Sequence, residues 1–198
     1  FAMSSTKPGT SEASPVAYNV SWDEADVSAY QDRELVDRKW KHWFDVNYTS
    51  IGTGDDFTAF CMEYTNETKV PGLYKDFSAY AASGYAIFDV ELEDTVDINN
   101  LYLAIATLSG GTTAYAGVPV SKYVSDDNRA ASVAIPFADF AKSEAFIGGK
   151  TDAATAIDFS KFTGMGIIRK QVSDAESSGK VYFAKMAVAG FNAPVDLA

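Results

Sequence analysis

Residues 158–191, DFSKFTGMGIIRKQVSDAESSGKVYFAKMAVAGF, carry the clearest indication of the fold. Residues 163–171 are apolar and rich in glycine, and residues 173–179 (SDAESSG) have the composition of a turn. Residues 180–189 are rich in Val, Tyr, Phe and Met, which β-strands favour. The stretch therefore predicts two strands joined by a polar hairpin. Both alternate faces of residues 181–188 are largely apolar, which indicates a central strand covered on both sides, as in a β-sandwich.

The composition of the whole chain fits one all-β domain. Its 198 residues, 47% of them hydrophobic, are enough for one well-filled core. The formal net charge of −11 argues against nucleic acid and against an anionic membrane surface as partners, since both would repel the chain. The one cysteine, Cys61, excludes an internal disulfide framework, and we interpret it as a small buried hydrophobe.

The chain divides into a short linker and one domain. Residues 1–15 are mostly Ser, Thr, Pro and Gly, which is typical of an interdomain linker or of a remnant of the expression vector. Residues 16–198 carry eight to ten strand-like segments, spaced as in a β-sandwich. The charged segment 28–39 is interpreted as an exposed helical turn or a long loop, and segment 138–157 as a short helix or an extended loop. A linker of this kind suggests a module of a longer, secreted protein.

Residues 40–51 alternate between an apolar and a polar face. Phe44 and Val46 lie on the apolar face, while Trp43, Asp45 and Asn47 share the other. The indole of Trp43 on a polar face could stack on a sugar ring while its neighbours bind hydroxyls, or it could be buried under a loop. His42 falls on the apolar face and is interpreted as a core histidine.

Segment 73–94 predicts a short loop followed by a strand whose core face consists of Ala86, Phe88, Val90 and Leu92. Asp89 and Glu91 lie on its other face. Two carboxylates at this spacing could act as general acid and base in a glycoside hydrolase. We favour a structural role or hydrogen bonding to a ligand, because acidic pairs are common on the surface of so acidic a chain.

Three further strands place polar or aromatic residues outward. Tyr102 points away from the core between Leu101, Leu103 and Ile105, and Tyr115 lies in the next strand. The register of 163–171 is ambiguous because Ile167 and Ile168 are adjacent. The strand therefore presents either Arg169 and Gln171, or Lys170, on its polar face.

Four segments resemble a known superfamily. SVAIPFADF (132–140), IDFSKFTGMGII (157–168) and GKVYFAKMAV (179–188) resemble the last strands of β-jelly-roll carbohydrate-binding modules and of related galactose-binding-like domains. DFSAYAASGYAIFDVEL (76–92) resembles an earlier strand of the same modules. The resemblance implies a jelly-roll β-sandwich of two antiparallel sheets.

The resemblance also implies a function. It indicates a non-catalytic module that targets an attached polysaccharide-degrading enzyme to its substrate, in a secreted or cell-surface protein. A neutral β-linked glucan or galactan is expected, because the acidic chain disfavours anionic glycans. Alternatives are a jelly-roll polysaccharide lyase or glycoside hydrolase, and a cell-surface adhesion domain. The candidate carbohydrate-binding residues are Trp43, Asp45, Asn47, Asp89, Glu91, Tyr102, Tyr115, Arg169, Lys170 and Gln171.

A structural calcium ion is possible in such modules. The aspartate of the last strand that holds calcium in many of them is Ala184 here. A calcium ion would therefore need other oxygen ligands. The candidates are Asp23, Glu24, Asp55 and Asp56.

Overall fold

The computed structural model describes residues 16–19, 33–35, 38–40, 42–46, 56–63, 74, 76–148, 150–151, 157–171 and 179–190. Most of the regular structure in these ranges is β-strand. The strands are β1 (Val16–Asn19), β2 (Arg33–Leu35), β3 (Arg38–Trp40), β4 (His42–Asp45), β5 (Phe57–Glu63), β6 (Gly84–Leu92), β7 (Leu101–Ser109), β8 (Thr112–Pro119), β9 (Ala130–Pro136), β10 (Glu144–Ile147), β11 (Lys150–Thr151), β12 (Phe162–Lys170) and β13 (Lys180–Gly190).

Helical structure within these ranges is limited to single turns. The α-helix α1 spans Phe137–Phe140, and 3-10 turns occur at Ser78–Tyr80, Ile98–Asn100, Val120–Lys122 and Phe159–Lys161. None of the helices described is long and apolar enough to cross a membrane.

The strands form two large antiparallel sheets. One has five strands in the order β1-β13-β6-β9, and β4 also pairs with β13. The other has six strands in the order β11-β10-β8-β7-β12-β5. Strands β2 and β3 pair with each other in a separate two-stranded sheet. The predicted all-β sandwich of two antiparallel sheets is confirmed.

The hydrophobic core lies between the two large sheets. In β6, the predicted inward positions Ala86, Phe88, Val90 and Leu92 are all buried in it. Those of β7 are confirmed in the same way, because Leu101, Leu103 and Ile105 are buried. Phe44 on β4 packs against the cluster, and Val46, directly after β4, is buried in it. Each fully buried side chain of this size contributes about 1.5–3 kcal/mol relative to its exposed state. The alternation of apolar residues thus determines which face of each strand points inward.

Strands β12 and β13 do not form the hairpin predicted for residues 158–191. Strand β12 pairs with β5 and β7 in the six-stranded sheet, whereas β13 pairs with β1, β4 and β6 in the five-stranded sheet. Polar residues between two strands allow a tight turn, but they equally allow a crossing from one sheet to the other. The predicted central position of β13 is correct, because it has partners on both edges.

A β-bulge in β13 keeps its apolar residues in the core. Val181 and Phe183 are buried before the bulge, and Met186 and Val188 after it. The register to β6 shifts between Phe183 and Lys185, so one extra residue is inserted at this point. Without it, the later apolar residues would point to the opposite face.

Three of the four segments that resemble carbohydrate-binding modules converge on one aromatic cluster. The ring centroids of Phe137 and Phe159 lie 4.6 Å apart in a stacked arrangement. Those of Phe77 and Phe162 lie 5.2 Å apart, edge to face. The backbone amide of Phe77 also donates to the carbonyl of Phe159 at 2.8 Å. These contacts close one end of the core and fix the start of β12.

Two segments differ from the sequence-based interpretation. Within 28–39, residues 33–35 form β2, which pairs antiparallel with β3, whereas a helical turn or a long loop was expected. Within 138–157, α1 ends at Phe140 and is followed by the paired strands β10 and β11. The described residues hold thirteen strands, more than the eight to ten expected. Strands of two to four residues are too short to show a period of two in the sequence.

Candidate functional site

The outer face of the six-stranded sheet brings together several of the predicted residues. We call it the tyrosine face, because Tyr102 on β7 and Tyr115 on β8 both lie on it. A second hydrophobic cluster, separate from the main core, packs on this face. Its buried members are Phe57, Ala104, Phe146 and Ile168, and Ala59, Cys61, Tyr102 and Tyr115 pack against them. The predicted outward orientation of Tyr102 is therefore correct.

The six-stranded sheet curves towards the tyrosine face so strongly that its edges meet. In a flat sheet, the four strand spacings between β5 and β10 would correspond to about 19 Å. The ring centroids of Phe57 on β5 and Phe146 on β10 nevertheless lie 5.1 Å apart. Asp56, directly before β5, accepts a hydrogen bond from the backbone amide of Thr151 on β11 at 3.2 Å. The tyrosine face is therefore concave, and contact between its edge strands closes one corner of it.

Tyr102 lies half-buried in the floor of this concave face. Its ring packs edge to face on Phe146, with centroids 5.6 Å apart. Gly117 on β8 makes room for it, since a Cβ atom at position 117 would come within 2.7 Å of the Tyr102 Cβ. Burial and a hydrogen bond to Glu144 together raise the pKa of Tyr102 to about 12. The hydroxyl therefore stays protonated at neutral pH and donates to the carboxylate.

An ion pair crosses the tyrosine face above Tyr102. Lys170 Nζ on β12 lies 2.5 Å from Glu144 Oε1 on β10. The same ammonium group lies 5.9 Å from the centroid of the Tyr102 ring. Both side chains of the pair are about one-third exposed, at 33% and 32%. Tyr102, Glu144 and Lys170 thus form one connected polar group that solvent can reach.

Tyr115 lies on the same face, beside the aromatic floor. Its ring packs edge to face against Phe57, with centroids 5.9 Å apart. It is paired with Phe146 on β10 and with Ala106 on β7. One part of its surface remains accessible, because it is neither fully buried nor fully exposed. Tyr102 and Tyr115 therefore flank Phe146 from two sides.

The register of β12 separates the three polar residues at its end. Ile167 faces the core and Ile168 faces outward, so Lys170 belongs to the tyrosine face. Arg169 points into the sandwich, where it is only 3% exposed and donates from Nη1 to the Val46 carbonyl at 2.5 Å. This burial removes Arg169 from the surface that a ligand could contact. Gln171 is exposed just after β12, and its backbone N–H donates to the backbone carbonyl of Asp56 at 2.7 Å.

Asp89 and Glu91 lie on the opposite side of the molecule. Both belong to the outer face of the five-stranded sheet, which we call the carboxylate face. Asp89 accepts a hydrogen bond from the Ser132 hydroxyl on β9 at 2.6 Å. Glu91 is paired with Tyr182 on β13 and with Ala130 on β9. The core of the sandwich separates these carboxylates from the tyrosine face, so the two groups of candidate residues cannot contact one sugar unit together.

The remaining carbohydrate-binding candidates lie in or near β4. Trp43 pairs with Tyr182 and Asp45 with Lys180, which places both in the five-stranded sheet. Asn47 lies outside the described residues. The proposed stacking of a sugar on Trp43 stays a prediction.

The described residues contain no cluster of three or more metal-ligating side chains. Of the calcium candidates, Asp23, Glu24 and Asp55 lie outside those residues. Asp56 interacts with the Thr151 amide and, at 3.2 Å, with Lys150 Nζ. The hydrogen bond from Thr151, followed by that from Lys150, lowers the pKa of Asp56. Asp56 therefore holds the two edges of the six-stranded sheet together.

Three residues of the tyrosine face were missed by sequence reasoning: Phe57, Glu144 and Phe146. Glu144 and Phe146 lie in β10, within a segment interpreted as a helix or loop. Phe57 lies at the start of β5 and was not among the candidate residues. The four residues of β10 are too few for the alternation of Glu144 and Phe146 to be recognised in the sequence. Their approach to Tyr102 depends on strand order, which is not visible locally in the sequence.

No protein-family model and no curated protein matches this chain. Two solved structures are similar to it. The crystal structure of a family 30 carbohydrate-binding module has a TM-score of 0.51 and 15% identity, covering 84% of this chain and 74% of that one. The family 30 module of a cellulosomal cellulase of Clostridium thermocellum has a TM-score of 0.45 and 16% identity, covering 79% of this chain and 84% of that one. At this level of identity, the first similarity establishes a shared β-sandwich fold.

Proposed function

We propose that this protein is a non-catalytic carbohydrate-binding module that binds a polysaccharide on its tyrosine face. One observation carries the proposal: Tyr102 and Tyr115 flank an aromatic floor in a concave face, beside the solvent-accessible ion pair of Lys170 and Glu144. Aromatic rings pack on the apolar C–H faces of pyranose rings, and charged groups bind their hydroxyls. The fold shared with a carbohydrate-binding module supports the same function.

The protonation of Tyr102 favours binding over catalysis. A general base works best when its pKa lies near the operating pH. The pKa of Tyr102 is raised to about 12 by burial and by Glu144, so the phenolate that a lyase would need is disfavoured. The carboxylate of Glu144 is engaged with both Lys170 and Tyr102. This group is therefore suited to hydrogen bonding with a ligand that remains intact.

A neutral polysaccharide is the ligand class that we propose, with a β-linked glucan or galactan first. The positive charge of Lys170 is balanced by Glu144 at 2.5 Å, so the pair adds no net charge to the face. The chain as a whole carries a net charge of −11, which repels anionic glycans. We further propose that the parent protein is secreted or at the cell surface and carries a linked polysaccharide-degrading domain.

Affinity gel electrophoresis tests the proposed site. The wild-type chain is run through gels that contain a neutral β-glucan, a β-galactan or polygalacturonate. We expect retardation by a neutral polysaccharide. Tyr102→Ala and Tyr115→Ala should each weaken it by about tenfold, which corresponds to about 1.4 kcal/mol. Because both tyrosines pack on the second hydrophobic cluster, the thermal midpoint of each variant is measured in parallel.

The matched control is Tyr74→Ala, which removes a tyrosine that is 52% exposed and outside the strands. This variant should migrate like the wild type. Retardation that depends on Tyr74 but not on Tyr102 or Tyr115 would move the binding site elsewhere. Release of reducing ends from the polysaccharide would instead identify an enzyme.

A further inference from the structure

The ion pair above Tyr102 has an unusual span. Lys170 lies on β12 and Glu144 on β10, with β7 and β8 between them in the sheet. Three strand spacings correspond to about 14 Å between flat backbones. The two side chains meet at 2.5 Å, partly because the sheet is curved and partly because Gly117, which is paired with Glu144, has no side chain in between. The pair is thus formed over the concave face and not along its edge.

Both charged groups keep capacity for a further partner. The Lys170 ammonium has three N–H donors, of which Glu144 takes one. The Glu144 carboxylate has about four acceptor positions, and Lys170 and Tyr102 use two of them. Exposed fractions near one-third leave both groups reachable from solvent. A donor and an acceptor therefore lie side by side next to an aromatic ring.

We propose that Lys170 and Glu144 recognise a vicinal diol, two hydroxyls on neighbouring carbons, of a pyranose that packs against Tyr102. This inference rests on the proposed function and specifies which group of the sugar the site recognises. One hydroxyl oxygen accepts a hydrogen bond from Lys170, and the neighbouring hydroxyl donates to Glu144. The two hydroxyls are about as far apart as the two charged atoms, so both can be engaged at once.

The pair distinguishes a vicinal diol from an isolated hydroxyl, because one hydroxyl can form a hydrogen bond with only one of the two charged groups. The other charged group would then lose water without gaining a partner, which is costly. Tyr102 supports this selectivity by donating to Glu144, which holds the carboxylate in place before the ligand arrives. Such preorganisation lowers the entropy cost of binding. Lys170 and Glu144 are therefore specificity-determining residues of the tyrosine face.

Isothermal titration calorimetry with hexasaccharides tests the proposal on the intact chain. Internal glucose units of cellohexaose and maltohexaose carry a free 2,3-diol. Those of laminarihexaose do not, because oxygen 3 is in the linkage. We expect the better-bound 1,4-linked hexaose to bind at least about tenfold more tightly than laminarihexaose, because laminarihexaose leaves one of the two charged groups without its hydrogen bond.

Variants distinguish specific recognition of the diol from overall affinity for the oligosaccharide. Lys170→Met and Glu144→Gln should bring the ratio of the two affinities close to one. Tyr102→Ala should weaken binding of both hexaoses. Lys161→Met is the matched control, because it removes the charge of an exposed lysine just before β12, at the end of the strand opposite Lys170, and should leave the ratio unchanged. Thermal midpoints and far-ultraviolet circular dichroism verify that each variant is folded.

The outcomes distinguish the two proposals. Equal affinity of the wild type for all three hexaoses, or a ratio that survives in both Lys170→Met and Glu144→Gln, overturns the diol proposal and leaves the binding function intact. Absence of binding to any hexaose or polysaccharide overturns the proposed function, and the diol proposal with it.

Discussion

The two outer faces of the sandwich use similar residues in different ways. The carboxylate face satisfies its acidic groups locally: Asp89 accepts from Ser132 on the neighbouring strand at 2.6 Å. Glu93, at the end of that face, accepts from the Tyr182 hydroxyl at 2.7 Å and from the Lys180 amide at 2.9 Å. On the tyrosine face, by contrast, Glu144 and Lys170 meet across three strand spacings.

The difference follows from the curvature of the six-stranded sheet. A cross-strand pair on neighbouring strands needs no curvature, because opposite side chains are already close. A pair that spans three strand spacings forms only when curvature of the sheet brings distant strands together. On the tyrosine face, two contacts maintain this curvature: that of Phe57 with Phe146 and that of Asp56 with Thr151. Acidic residues therefore bond to neighbouring strands on one face, whereas on the other face Glu144 takes part in a partly exposed ion pair across the sheet.

Removing Phe146 gives the largest expected effect, because this residue supports the curvature. Its ring is 0% exposed and contacts both Phe57 and Tyr102. Phe146→Ala should lower the free energy of unfolding by about 3–5 kcal/mol, as is usual when a buried phenylalanine is truncated. Urea denaturation, followed by tryptophan fluorescence, measures the change.

Phe146→Leu is the control, since it keeps much of the apolar volume and should cost less than the alanine variant. A loss below about 1 kcal/mol for Phe146→Ala would mean that the second cluster does not hold the sheet in its curved form. The contrast between the two faces would then lose its structural basis.

The pKa of Tyr102 tests whether its hydroxyl is bonded to Glu144 on the tyrosine face. Its pKa is raised from the ordinary 10.0 to about 12, first by burial and then by the hydrogen bond to Glu144 and its charge. The folded chain thus keeps this proton while the unfolded chain releases it. The resulting contribution to stability is fully present below about pH 10 and is lost as the pH rises towards 12. Glu144→Gln should lower the pKa of Tyr102 but leave it above its ordinary value, because burial remains.

The measurement is NMR of Cζ-labelled tyrosine, with the Tyr102 signal assigned by comparison with Tyr102→Phe. Asp89→Asn is the control, as it removes a carboxylate charge on the opposite face and should not move this titration. If Glu144→Gln leaves the pKa of Tyr102 unchanged, the hydroxyl is not bonded to Glu144 and the polar group above the face is not connected.

The sequence predicted the layers of the molecule better than their connections. The inward positions of β6 and β7 were correct because the core covers one face of each strand, so alternation alone determines orientation. The hairpin between β12 and β13 was wrong, because local residues do not determine which sheet a strand joins. The register of β12 could not be resolved for a related reason: Ile167 is buried in the main core and Ile168 in the second cluster, so both faces are apolar.

The candidate site shows the same limit. Tyr102 was recognised from strand alternation and Tyr115 from its strand-like segment, while Lys170 was one of two alternatives that the register of β12 left open. That they share one face with Glu144, while Asp89 and Glu91 lie on the other side, depends on strand order. Curvature then brings the edges together, and it depends on packing between residues about 90 positions apart, such as Phe57 and Phe146. No pattern within a single strand contains that information.

The smallest effect is expected from neutralising the carboxylate face. The double variant Asp89→Asn and Glu91→Gln should change the free energy of unfolding by about 0.5 kcal/mol or less, because the carboxamide that replaces the Asp89 carboxylate can still accept from Ser132. Retardation in polysaccharide gels should match that of the wild type. The two residues lie across the core from Tyr102, so they cannot contact a glycan bound on the tyrosine face.

A different result would identify a function for this face. If the double variant loses retardation while Tyr102→Ala keeps it, the ligand binds on the five-stranded sheet, where Trp43 also lies. If the wild type releases reducing ends and the double variant does not, Asp89 and Glu91 are an acid–base pair. The experiment therefore decides between the two faces, because each face predicts the opposite ranking of the same two variants.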